Sequence, residues 1–114
     1  MDRKSLFEAM KCAVLGKNYD LSLAFISKEK IKKLNLIYRN INKPTDILSF
    51  PISKKEGEIY ICLSEAKKEA KKFDRKYENF LHFLFIHGLV HLKGYDHGST
   101  MESIEARFHK KFGI

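Results

Sequence analysis

No apolar run in this chain of 114 residues approaches the length needed to cross a bilayer, so no transmembrane helix is expected. The opening stretch, MDRKSLFEAMKCAVLG, is interrupted by Asp2 and Glu8 and lacks the apolar core of a secretion signal, which points to a cytoplasmic location. Cysteine is scarce. Cys12 and Cys62 lie far apart, neither has a Cys or His at close metal-ligand spacing, and both are expected to be reduced and buried. Repeats, low-complexity segments and linkers are missing as well, leaving residues 1–114 as one domain. That length suffices for a single core, and 44% apolar residues with nine Phe supply the material.

Acidic residues are also in deficit. Against 14 Asp and Glu stand 22 Lys and Arg, for a formal net charge of +8. Such an excess suits a polyanionic partner, because each neutralised phosphate releases counterions. It equally suits a protein that uses charge for solubility, so charge leaves both readings open.

Periodicity divides the chain into helices and short strands. Residues 4–15 read as an amphipathic helix with Leu6, Phe7, Met10, Ala13 and Val14 on one side, stopped by Gly16. LSLAFI (21–26) reads as a buried strand, and Ser27 as the cap of a helix whose inward stripe is Ile31, Leu34 and Ile37 or Tyr38. Pro44 forces a turn. DILSFPI and EIYICL (58–63), joined by KKEG, predict an antiparallel hairpin. Ser64 is a candidate cap for the charged helix SEAKKEAKKFDRKY, whose charge run reads as a solvated face. YENFLHFLFIHGLVHL (77–92) is apolar almost all round, the mark of a central buried helix. Ser99 and Glu102 have capping-box spacing ahead of a last helix running to about Lys111. The expected fold is α+β: a small mixed sheet of three to four strands packed with helices, with the central helix carrying the functional residues.

The chemistry concentrates in HGLVHLKGYDH, residues 87–97. His87 and His91 are four apart on a helix, offset by about 40° of rotation, so both imidazoles can reach one ion. His97 cannot come from the same straight face. The chain must turn back, and Gly94 is suited to that break. Three neutral imidazoles around Zn²⁺ leave one position open, the arrangement of a catalytic site. Nickel, cobalt or iron would also accept three imidazoles. His82 sits on another face of the helix and His109 in the basic C-terminal helix, so both are assigned to surface or packing.

Zinc proteases with this histidine spacing carry a catalytic glutamate after the first histidine. Here that position is Gly88, which removes the general base of the peptidase mechanism. RNA supplies its own nucleophile in the 2′-hydroxyl, and a phosphodiester transition state calls for a cation such as Arg. Asp96, beside His97, either orients a ligand or acts as base, or else caps the turn.

Two segments together resemble one family. HGLVHLKGYDH is similar to the HGxLHLxGYDH signature of the bacterial YbeY proteins, metal-dependent endoribonucleases of ribosomal RNA maturation. LNLIYRNINKPTDILSFP (34–51) resembles their second block, and GEIYIC (57–62) the strand that follows. The resemblance implies that His87, His91 and His97 bind zinc and that Arg39 contacts the RNA phosphate. It implies ribosomal RNA in single-stranded regions as substrate, with the small ribosomal subunit and its proteins as partners and no membrane. Read alone, Arg39 at a helix C-terminus before a turn is free to reach a cleft, the alternative being a surface residue favoured by the helix dipole. Ser49, Phe50 and Pro51 are expected to shape the cleft wall. Two departures stand out: Glu58 replaces the family's usual Asp, and the chain is shorter, chiefly before and within the first strand. Two other readings stay open, a metallohydrolase of peptides or small amides and a non-catalytic assembly factor stabilised by zinc.

Overall fold

The computed structural model describes residues 2–95 and 98–114. Eight elements follow one another: α1 (Arg3–Leu15), β1 (Asp20–Phe25), α2 (Lys28–Arg39), β2 (Ile47–Ser53), β3 (Glu56–Ile61), α3 (Leu63–Lys72), α4 (Tyr77–Leu92) and α5 (Ser99–Phe112). The sheet order is β1-β3-β2, with β1 parallel and β2 antiparallel to β3, so the sheet is mixed and the fold α+β. Lys54 and Lys55 form the turn of the β2–β3 hairpin.

Strand alternation divides the sheet's side chains between two helical layers. Leu48 on one face clusters with Ile31 and Leu34 of α2. Gly57 and Ile59 on the other face meet Leu92 and Gly88 of α4. Helix α4 packs in turn on α1, α3 and α5. Leu81, Ile86, Leu89 and Val90 are fully buried along it. Each contributes about 1.5–3 kcal/mol of burial free energy, so α4 is the axis of the core, as its all-round apolar sequence predicts.

Local signals were less faithful than periodicity. Asp2 caps α1 by accepting from the Ser5 N–H at 2.7 Å, and Ser27 caps α2 as expected. Ser64 does not cap α3. The strand passes directly into the helix at Cys62, whose N–H is tied to the Asp46 carbonyl, and Ser64 falls inside the first turn. The Ser99–Glu102 box is not formed either. Gly98 takes the cap position, and its carbonyl accepts from the Glu102 N–H. On α2 the inward stripe stops at Asn35, whose side chain donates to the Lys43 carbonyl, and Ile37 and Tyr38 are 69% and 65% exposed. Cys62 is buried as expected, whereas Cys12 is exposed on α1.

Candidate active site

One turn of α4 brings the His87 and His91 rings to 4.7 Å between centroids, nearly perpendicular at 89°. Each ring is oriented through Nδ1. His91 Nδ1 donates to the Tyr95 carbonyl at 3.0 Å, a partner that can only accept. His87 Nδ1 lies 2.6 Å from Oε1 of Glu105, a largely buried carboxylate on α5. With the proton on Nδ1, each neutral ring carries its lone pair on Nε2. A carboxylate or carbonyl behind a ligating histidine fixes the tautomer in this way. The pair fits a borderline-soft divalent ion such as zinc. Among the described residues no group of three or more His, Cys, Asp or Glu is arranged to hold a metal. The third expected ligand, His97, and the expected catalytic Asp96 lie outside the described residues.

Both imidazoles line a cleft of about 640 Å³, whose far wall is Thr45, Asp46, Ile47, Ser49 and Pro51 and whose rim includes Arg39. Arg39 is the last residue of α2. Asn40 follows in the left-handed conformation (φ 58°) and ends the helix, with Arg39 among the residues that line the cleft. The arginine and the two histidines, 48 and more residues apart in sequence, therefore share one cavity. Ser49 and Pro51 line it as expected. Phe50 does not: strand alternation sends it to the opposite face, against Tyr38 and Tyr60.

Gly88 faces the sheet. A Cβ there would stand 2.9 Å from Ile47 Cδ1, 2.9 Å from Ser49 Oγ and 3.1 Å from Ile59 Cδ1. The missing side chain thus lets α4 pack closely on β2 and β3, and any larger residue here must displace the side-chain ends of Ile47 and Ser49.

Two features at the cleft or behind its histidines had no sequence signal strong enough to identify them. Glu105 lies 18 residues beyond His87, and no helical spacing relates the two. Asp46 was visible only as part of a motif. Burial pushes its carboxyl above the usual range, the charge of Glu69 adds to the effect, and hydrogen bonds from the Asp46 and Ile47 backbone and Thr45 oppose it. A carboxyl held this way keeps its proton more readily. The remaining histidines pack: His82 lies edge-on to Phe7 at 5.7 Å, and His109 stacks on Phe83 at 4.8 Å.

Residues 3–112 match the sequence model of the family described as Endoribonuclease YbeY. A protein of that description from Thermosipho melanesiensis is 40% identical over 106 residues, covering 86% of this chain and 77% of the relative. One from Phytoplasma australiense is 37% identical, covering 83% and 72%. A solution structure of a Thermotoga maritima protein superposes with a TM-score of 0.67 at 27% identity, covering 98% of this chain and 84% of that one.

Proposed function

The chain belongs to the endoribonuclease YbeY family, and on that premise we propose that it is a cytoplasmic, zinc-dependent endoribonuclease. Its substrate in this reading is single-stranded ribosomal RNA, cleaved during rRNA maturation and ribosome quality control alongside small-subunit proteins. The observation that carries the reading is the shared cleft: a flexible cation, Arg39, faces two imidazoles whose Nδ1 atoms are both engaged behind them.

In this reading His87, His91 and His97 would hold the zinc, which when bound would supply Lewis acidity for the reaction. Arg39 clamps the phosphate oxygens, since a guanidinium presents paired N–H donors that match them. Its charge also opposes the negative charge that builds up on those oxygens. Glu105 holds the His87 ring in orientation. Two carboxyls are assigned the proton traffic: Asp46, whose raised proton affinity suits transfer near neutral pH better than an ordinary carboxylate, and Asp96 beside His97. The seam at Gly88 disfavours peptide hydrolysis, because the peptidase base would have to occupy filled space.

The test combines metal content by mass spectrometry with cleavage of a single-stranded ribosomal RNA fragment, for wild type, His91→Ala and Arg39→Glu. Stoichiometric zinc is expected in wild type and Arg39→Glu and not in His91→Ala. Cleavage is expected to fall about 100-fold or more in both variants. Retained zinc with equal cleavage in all three proteins would assign the activity to a contaminant and leave a non-catalytic, zinc-stabilised assembly factor as the better reading.

A further inference from the structure

The sheet face away from α4 carries an open aromatic cluster. Tyr38 at the end of α2 lies 5.1 Å from Phe50 on β2, and Phe50 lies 5.9 Å from Tyr60 on β3. With Leu34, Pro51, Ile52 and Glu58 these rings line a hollow of about 310 Å³. Tyr38 is 65% exposed and Ile52 55%, so much apolar surface at the hollow's rim faces water.

Three observations say what fits there. First, the hollow joins the cleft. Pro51 lines both cavities, Tyr38 and Arg39 are consecutive, and neighbouring Ser49 and Phe50 point one into each. The two cavities thus meet at Pro51, and the residues that follow one another there serve one cavity each. Second, the hollow is of small-ligand size, too small for an α-helix about 10–12 Å across, and its rings are tilted 55° and 61° to one another, so a planar group that stacks on one meets the edge of the next. Third, the charges are sorted. Tyr60 Oη donates to Glu58 Oε2 at 3.2 Å, and a carboxylate can accept several hydrogen bonds, so Glu58 retains capacity for an N–H donor while repelling phosphate. Cations adjoin the lining residues along the chain: Arg39 follows Tyr38, and exposed Lys54 and Lys55 form the hairpin turn two residues after Ile52. A ligand with a planar, N–H-bearing ring and an anionic backbone meets all three conditions.

We propose that Tyr38, Phe50 and Tyr60 form a stacking platform for an unpaired nucleobase next to the phosphodiester held at Arg39, with Glu58 accepting from the base's N–H edge. The proposal rests on the RNA reading above and deepens it. It gives a physical source for single-strand selection, because a base in a duplex reaches the platform only after unpairing and unstacking. It also assigns a task to Glu58, which lies on the hollow side and not in the cleft.

The test measures binding by fluorescence anisotropy, with a labelled single-stranded RNA oligonucleotide and an oligomer of abasic spacers carrying the same phosphates. Wild type, Tyr38→Ala and Tyr38→Phe are compared, each checked for an unchanged thermal melt. Tyr38→Ala is expected to bind the RNA about ten-fold more weakly, Tyr38→Phe within about two-fold of wild type, and all three to bind the abasic oligomer alike. Equal RNA affinity in wild type and Tyr38→Ala overturns the platform, as does an equal loss on the abasic oligomer. A wild-type dimer that Tyr38→Ala dissociates in sedimentation, with RNA affinity unchanged, also overturns it and makes the face a protein interface. Cleavage is read on the same samples. No cleavage by wild type removes the nuclease reading while leaving the binding comparison intact, whereas normal cleavage with no ring dependence removes the platform alone.

Discussion

Gly88 stands on α4 one residue past the first cleft histidine, with the ends of Ile47, Ser49 and Ile59 against its backbone. Two opposing effects meet there. Replacing a mid-helix glycine by alanine gains about 1 kcal/mol of helix propensity. Forcing a methyl into a filled seam costs about 1–3 kcal/mol. Ile59 is fully buried and has little freedom to yield, so the second effect is larger. Gly88→Ala is therefore expected to lower unfolding free energy by roughly 1 kcal/mol, and Gly88→Glu by several, because it also buries a carboxylate among apolar side chains. Denaturant melts check both. A Gly88→Glu protein as stable as wild type would mean that α4 does not rest on the sheet at this point.

Helix α5 matters to the cleft through a single side chain. It packs on α4 and brings Glu105 to the Nδ1 of His87. The spacing of His87 and His91 comes from α4 alone, but the tautomer and tilt of His87 depend on a different element. On the zinc reading proposed above, Glu105→Ala is expected to weaken metal binding about 10- to 100-fold, the loss typical of removing a carboxylate behind a ligating histidine. Glu105→Gln, which keeps an acceptor oxygen, is expected to lose less. Competition with a chromophoric chelator reads both, and an Ala variant with wild-type affinity would show that α5 does not orient the ring. Helix α2 contributes in a similar way. Its final turn holds Arg39 to the cleft and Tyr38 to the hollow.

At the scale of the whole molecule, two histidines make the core sensitive to acid. His82 sits in the seam of α4 with α1, and His109 in the seam of α5 with α4, and Nε2 of each is buried with no hydrogen-bond partner among the described residues. Burial lowers both pKa values below the ordinary 6.5, with Glu78 and Glu105 respectively pulling partly the other way. A depressed folded pKa means that the unfolded chain binds more protons below pH 6.5. The stability these groups contribute is present in full above pH 6.5 and is lost as pH falls through their folded values. Asp46 acts in the opposite sense. Its pKa is raised above 3.8, so the cost of its buried charge is relieved as pH falls towards that value. Urea midpoints are accordingly expected to be flat above pH 6.5 and to decline below it. His82→Phe, which packs an apolar ring on Phe7, is expected to make that decline shallower. An unaltered slope would locate the acid sensitivity elsewhere.

Local sequence determined much of this protein. Helical spacing puts His87 and His91 on one face, an all-round apolar composition makes α4 the core helix, and alternation with a short charged turn specifies the β2–β3 hairpin. These features depend on residues within a turn or two of one another, so a linear pattern records them. Tertiary structure alone decided the rest. It placed Arg39 in the histidines' cleft, set Glu105 behind His87, filled the space over Gly88, and left Tyr38 in solvent although it continues an apolar stripe. Each of these is a contact, or a missing contact, between segments remote in sequence. It depends on which surfaces the packed layers cover, and no local periodicity encodes that.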